Sequence, residues 1–438
     1  MTHIIEEHII TELDMLKTIT DSEEGITRLA FTDMDWRGRD YIKSLMADAG
    51  LTIREDAFGN VIGRLPGRNE SLPSIMSGSH TDSVPRGGNY DGVVGVLSAL
   101  EVARLLQDET GKSTIQHPFE VVIFMNEEGS RFGAATLGSR AMVGALSQAD
   151  LERLVDKNGV SLRGALTSRG LESSAIGESL YQNPIHSFIE VHIEQGRVLE
   201  EHKIPLGVVT GIAAPTRYKL TLSGRADHSG ATPMSMRQDA MCGAAEIILK
   251  VENLAQAASG CSVNDVPSAD LDSNVMPPIE TSASITPVVG TVGTVSVRPG
   301  AMNVIPGQVE LGIDIRSISQ EAKVQVCNEL TSFIASVCEK RQLTYTMDTI
   351  ADETPVAIDE EMINLVGTSC EDLGIEYMKL PSGAGHDAMN MAEKTQVAMI
   401  FIPCKDGVSH NPQEVASVQD ISTGILVLES LVRKLDIL

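Results

Sequence analysis

The stretch "LPSIMSGSHTDSVPRGGNYDGVVGVLSALEVARLLQDE" limits the possible folds of this chain most, because an apolar run passes through a glycine-rich loop straight into a helical pattern. "LPSIMSGSH" reads as a strand, and "VVGVLSALEVARLLQDE" as a helix with apolar residues at helical spacing. A strand feeding a helix through a short loop is the building unit of α/β sheets. The loop carries His80, Asp82 and Asp91 among its glycines. Such side chains serve as metal ligands or as partners that orient ligands, and glycine frees the backbone to turn tightly around them. Alone, an H-x-D pattern is ordinary for a surface loop, so the rest of the chain has to decide.

Helical patterns cover residues 4–18 and 35–50, and short strands at 51–56 and 59–64 flank the turn "FGN". The apolar strand in "HPFEVVIFMNEEGSRFG" ends at Glu127 and Glu128. "HSFIEVHIEQGRVLEE" is a strand leading through His192 to Gln195, and "VAMIFIPCKDGVSHNPQE" leads to His410 before a last helix at 417–435. Strands alternating with helices predict a mostly parallel, twisted sheet covered on both faces. Each strand meets polar residues at its carboxyl end, the edge where open α/β sheets bind ligands.

A chain of 438 residues exceeds one ordinary core. Residues 214–330 read differently from the rest: "TRYKLTLSGRADHSG", "GTVGTVSVRP" and "QVELGIDIRS" are strands, and "SMRQDAMCGAAEIILKVENLAQA" and "SQEAKVQVCNELTSFIASVCEK" are helices. That order fits a four-stranded antiparallel sheet with helices on one face. The expected organisation is a domain of residues 1–213 and 331–438 with an α+β domain, 214–330, inserted into it. The Ser-, Asp- and Pro-rich segment at 258–285 reads as a long loop.

A net charge of −26 argues against nucleic acid or an anionic membrane surface as partner, since both would repel the chain. No apolar run approaches transmembrane length, and the N-terminus reads as an amphipathic helix rather than a signal peptide. Cys242, Cys261, Cys327, Cys338, Cys370 and Cys404 lack C-x-x-C spacing and are expected to be reduced, which fits a cytoplasmic location. Of ten histidines, His3, His8, His117, His186 and His202 sit in polar or terminal contexts. His80, His192, His228, His386 and His410 lie beside glycine, acidic residues or strand ends. With Asp91, Glu127 and Glu128 they point to a metal site.

The motifs "GSHTDSVPRGGNYDG", "NEEGSRFG", "HIEQGRVLE", "ADHSGATPMSMRQDA", "NVIP…DIRS", "SGAGHDA" and "GVSHNPQE" occur in the order found in the amidase, hydantoinase/carbamoylase family, which this chain resembles over nearly its whole length. That family is similar to the dinuclear-metal M20 peptidases, and includes N-carbamoyl-L-amino acid hydrolases and allantoate amidohydrolases. The resemblance implies two divalent ions per chain (Zn, Mn, Co or Ni) bridged by Asp91. His80 and His192 would complete one ion's protein ligands, and Glu128 and His410 the other's. It further implies that Asp82 orients the His80 imidazole, and that the glycines around Asp91 let its carboxylate reach both ions. Glu127 would be the general base, diverging from Glu128 as successive strand side chains do. His228 would stabilise the oxyanion, Asn303 and Arg316 would bind a substrate carboxylate, and Gln195 and His386 would face the ureido group. Asp387 reads as a helix N-cap. The inserted domain would act as a lid and join two chains in a homodimer.

The expected activity is removal of the carbamoyl group from an N-carbamoyl-L-amino acid, a small ureido carboxylate. Allantoate amidohydrolase is the nearest alternative. An M20-type peptidase is disfavoured because His192 stands where those enzymes carry an acidic ligand, and a non-catalytic binding module because no ligand is missing.

Overall fold

A computed structural model describes residues 2–260 and 288–438. Cys261 and residues 261–285 of the expected loop lie outside the described residues. The other five cysteines are free thiols, with only Cys242 exposed. The described chain forms two compact units: Met1–Thr210 with Ile358–Leu380 and His386–Leu438, and Gly211–Ala357 with Pro381–Gly385.

The first unit is built on a sheet whose spatial order is Thr52–Glu55, Val61–Leu65, Phe119–Phe124, Ser74–His80, Ile185–Ile193, Gln396–Ile402 and Gly207–Ile212. Its four central strands, Phe119–Phe124 through Gln396–Ile402, are parallel, and the strands outside them pair antiparallel. Both faces are covered, so strands such as "FEVVIF" are buried at every position and read as unbroken apolar runs. The helix Val93–Leu105 follows the glycine-rich loop, and all its residues from Val93 to Ala103 are buried. The last helix, Val418–Leu435, is capped by Ser417, whose hydroxyl accepts the Asp420 N–H at 3.0 Å. It buries Ile421, Ile425, Leu428, Leu431 and Val432 at helical spacing.

Connectivity explains where the site lies. From Ser74–His80 the chain moves to Phe119–Phe124 on one side, and its next parallel strand, Ile185–Ile193, lies on the other side. The winding therefore reverses between the strands that carry His80 and His192. Open α/β sheets have their binding crevice at the carboxyl ends of such a pair.

The second unit is a four-stranded antiparallel sheet in the order Thr344–Asp352, Ala214–Ser223, Gln308–Ser317, Val288–Arg298. Every second residue of Gln308–Ser317 is buried, which sets Val309, Leu311, Ile313 and Ile315 against Ile247, Val251, Leu330 and Ile334 of the helices Ala240–Ala258 and Gln320–Arg341. The expected boundary at residue 330 falls inside that second helix, and the unit runs on to Ala357 because its fourth strand follows the helix.

Candidate active site

His80 is the last residue of its strand, and Asp91 precedes the helix that the loop feeds. Asp91 is the hub of the cluster. Its Oδ1 lies 3.4 Å from His80 Nε2 and 3.2 Å from His192 Nε2, and its Oδ2 lies 3.5 Å from His410 Nε2. Glu128 Oε2 is 3.2 Å from the same His410 nitrogen. Two donor groups result, His80–Asp91–His192 and Asp91–Glu128–His410, each with its ligand atoms within 4.8 Å of one another. Either could hold a metal ion, and they share Asp91 with one oxygen turned to each.

The imidazoles are already turned for this. His80 Nδ1 lies 3.0 Å from the Asp82 main-chain carbonyl, and His192 Nδ1 lies 2.8 Å from that of Ile193. An Nδ1–H donating to each carbonyl leaves Nε2, the nitrogen facing Asp91, as the coordinating atom. Asp82 thus orients His80 through its backbone and not, as expected, through its carboxylate, which stands 3.8 Å from Nδ1. That carboxylate instead accepts the N–H groups of Glu127 at 3.1 Å and Glu128 at 3.3 Å.

Glu127 and Glu128 diverge for a different reason than strand alternation. Their strand ends at Phe124, and Asn126 turns the chain with φ of 57°. Glu127 then faces His80 (3.7 Å from Nε2) and Glu128 faces His410. Gly92 has a similarly specific role. Its φ is +66°, and a Cβ there would come 2.3 Å from His80 Nε2. At this position glycine makes room for an imidazole as well as allowing the turn.

The cluster is crowded with buried negative charge. Burial, reinforced by Asp91, pushes Glu128 up to about 8. Burial also holds Glu127 well above the carboxylate range, with Asp387, Glu128 and Asp82 adding to the effect against the pull of His80. Burial disfavours charge on His80, but Glu127, Asp91 and Asp82 overcome it and keep that imidazole protonated well above its usual range. Asp91 goes the other way: against burial, His192, His410 and His80 hold it well below the ordinary carboxylate value. The raised values of Glu127, Glu128 and His80 favour protons where a divalent cation would otherwise balance the carboxylates, so the donor set fits metal ions.

Gln195 Nε2 donates to Asp91 Oδ2 at 2.6 Å, and its buried Oε1 has no hydrogen-bond partner. His386 is buried with its ring 4.5 Å from the His192 ring, and burial, followed by the charge on His192, holds its pKa well below the usual range. It is neutral. Asp387 stands at an N-cap position but makes no capping bond; its carboxylate takes the Ser139 hydroxyl at 2.5 Å instead. Sequence reasoning missed Glu414, which accepts the N–H groups of Tyr90 and Asp91. The only available signal was an acidic residue four positions beyond His410.

The other expected residues lie on the second unit. His228 is exposed and bridges to Val304, while the Ser229 N–H donates to the Asn303 carbonyl at 3.0 Å. His228 Nδ1 accepts the Gly230 and Ala231 N–H groups at 3.1 and 3.2 Å, which puts the imidazole proton on Nε2. Arg316 grips Asp314 with Nε (2.8 Å) and Nη2 (3.2 Å) and donates from Nη1 to the Gly383 carbonyl at 3.2 Å. Arg217 holds Asp314 from its other side at 2.7 Å, so two guanidiniums share one carboxylate. Arg316 borders a cavity of about 720 Å³ on the open face of this unit's sheet.

A mostly parallel sheet whose switch point carries two donor groups sharing one carboxylate, with a buried glutamate beside them, fits a metal-dependent hydrolase. Residues 76–434 match the peptidase family M20/M25/M40, and the chain belongs to that family, on its hydantoinase/carbamoylase branch. It is 39% identical over 435 residues to an N-carbamoyl-L-amino-acid amidohydrolase of Pseudomonas sp. (strain NS671), covering 98% of each chain. It is 36% identical over 443 residues to an allantoate deiminase of Arabidopsis thaliana, covering 98% of this chain and 82% of that one. Among solved structures, a hydantoinase/carbamoylase family amidase from Burkholderia multivorans superposes with a TM-score of 0.85 at 32% identity, covering 98% of this chain and 97% of that one.

Proposed function

We propose that this chain hydrolyses N-carbamoyl-L-amino acids to the amino acid, CO2 and ammonia, using one water per turnover and two divalent ions. The observation that carries the reading is Asp91, whose two oxygens face two separate donor groups beside an uncommitted buried glutamate. His80, Asp91 and His192 would hold one ion, and Asp91, Glu128 and His410 the other. A ureido carbon is a poor electrophile because two nitrogens donate into it; Zn, Mn, Co or Ni held by these residues would supply Lewis acidity to polarise it and to acidify water. Glu127 takes the proton from the attacking water and returns it to the leaving nitrogen. Gln195 and neutral His386 face the ureido group. Among the described residues no helix is long and apolar enough to cross a membrane, and a cytoplasmic location fits the free thiols.

Asn303 and Arg316 bind the substrate carboxylate. Because Asp314 occupies Nε and one Nη2 proton of Arg316 and the Gly383 carbonyl one Nη1 proton, one proton on each Nη is left to offer to substrate. Arg316→Ala is expected to lower kcat/KM for carboxylated ureides by roughly 2–4 kcal/mol in transition-state terms, and to affect the corresponding uncharged amide much less. Equal losses on both substrates would make Arg316 structural. Ammonia release from N-carbamoyl-L-amino acids, N-carbamoyl-β-alanine, allantoate and ureidoglycolate tests the substrate assignment. Preference for allantoate would move the chain to the neighbouring activity.

His228 completes the site of a second copy in a two-fold dimer. Its outward Nε2–H is a fixed donor for a developing oxyanion, and the exposed Met234, Met236 and Met302 around its loop suit burial against a partner. Mixing inactive His228→Ala chains with inactive Glu127→Ala chains should recover about a quarter of wild-type activity, because each hybrid dimer contains one intact site. A mixture that stays inactive means that His228 acts within its own chain.

A further inference from the structure

Glu414 is buried, and both of its oxygens are fully engaged. Oε1 accepts the N–H groups of Tyr90 (2.9 Å) and Asp91 (3.0 Å), while Oε2 accepts the Ser409 hydroxyl (3.0 Å) and the His410 N–H (3.3 Å). One carboxylate thus ties together the loop that ends in Asp91 and the loop that carries His410, which come from opposite ends of the chain. Ser409 sits between the two carboxylates, its one hydroxyl proton shared between Glu414 Oε2 and Asp91 Oδ2, the latter at 2.7 Å.

Two further features fit this role. His410 adopts φ of 55°, a left-handed conformation that a non-glycine residue keeps only when its surroundings impose it; the bond from its N–H to Glu414 is such a restraint. Gly88, in the same glycine-rich loop as Asp91, leaves the space that Glu414 fills, since a Cβ there would lie 2.0 Å from Oε1. A buried carboxylate beside the Asp91 carboxylate is costly in desolvation and repulsion. What it holds accounts for its presence.

We propose that Glu414 is the positioning residue that sets the His410 loop against Asp91, so that the Asp91–Glu128–His410 group binds its ion at full affinity only while this carboxylate is intact. The inference rests on the two-ion reading above. Glu414→Gln distinguishes the two ends of the tie. The amide oxygen stays with Tyr90 and Asp91, whose two N–H groups have no other acceptor there, and the amide NH2 then meets the His410 N–H, donor against donor. Equilibrium dialysis with Mn2+ or Zn2+, followed by metal analysis, should show the first ion bound as in wild type. Affinity for the second should fall on the order of tenfold to a hundredfold, the range for losing a hydrogen bond to a charged group. Gly88→Ala, which displaces the carboxylate without altering any ligand, should give the same loss, with circular dichroism confirming the fold of both variants. The visible absorption of Co2+-loaded protein should lose the second ion's contribution in both.

His410→Ala serves as the reference for a lost second ion. If His410→Ala holds one ion while Glu414→Gln and Gly88→Ala hold two at wild-type affinity, the proposal is overturned and the two-ion reading stands. If wild-type protein binds a single ion, both fall together.

Discussion

Glu127→Gln is expected to lower kcat by roughly 10²–10⁴, the range for losing a general base, while metal content stays at the wild-type level. The substitution is isosteric and belongs to neither donor group. Glu127 faces His80 from 3.7 Å, close enough to interact with the ligand set but free to handle a proton. Gln cannot accept a proton, so the loss appears in kcat. Glu128→Gln should fail differently. Glu128 lies 3.2 Å from His410 Nε2, and its loss removes a charged donor from the second group, so metal occupancy should fall together with activity. Measuring kcat and bound metal on the same preparations separates the two. If both variants retain metal and turnover, the roles given to this pair are wrong.

The elements legible in the sequence were those whose burial imposes a period. The buried run "FEVVIF" and the alternating "QVELGIDIRS" read directly as strands. By contrast, "TYTMDTIAD" forms an edge strand with every residue exposed or half exposed, so it shows no alternation and leaves no sequence signal that the inserted unit continues past its second helix. The donor groups that could hold a metal were legible as a set because histidines and carboxylates at or just beyond strand ends stand out from the apolar runs before them. How they are held was not. Main-chain carbonyls of Asp82 and Ile193 orient the imidazoles, and no sequence pattern marks a carbonyl. Glu414 was hidden because two of its partners, the Tyr90 and Asp91 N–H groups, lie far away along the chain and leave no sequence pattern. Gly92 shows the mixed case: the glycine was noticed as a turn residue, while its other function, admitting the His80 ring, becomes visible only in three dimensions.

Chelation is expected to abolish turnover, and Mn, Co or Zn to restore it, with up to two ions bound per chain. The electrostatics of the cluster make a further distinction between the metal-free and loaded protein. Glu128 is raised from an ordinary 4.5 to about 8, first by burial and then by Asp91. His410 is raised from 6.5 to about 9, first by its hydrogen bond to Asp91 and further by Glu128, with burial opposing. Between the unfolded and folded values of each group the folded, metal-free chain binds more protons than the unfolded one, so its stability falls as pH rises. For His410 the contribution is complete below 6.5 and is lost as pH rises through about 9. For Glu128 the cost of a buried charge grows from 4.5 up to about 8. The depressed pKa of Asp91 contributes stability that is lost only as pH falls below the ordinary carboxylate range, so it stays constant over this window. The Tm of chelated protein should therefore decline from about pH 4.5 to about pH 9. His410 is half exposed and its share is screened, which leaves Glu128 as the larger contributor. Metal-loaded protein should escape that decline, because the ions replace the same protons, and loading at neutral pH should release protons into a weakly buffered solution. Differential scanning fluorimetry across the window, with and without metal, measures the first effect, and a pH-stat the second. Parallel curves for the two forms, or metal uptake without proton release, would mean that the ions bind somewhere other than Glu128 and His410.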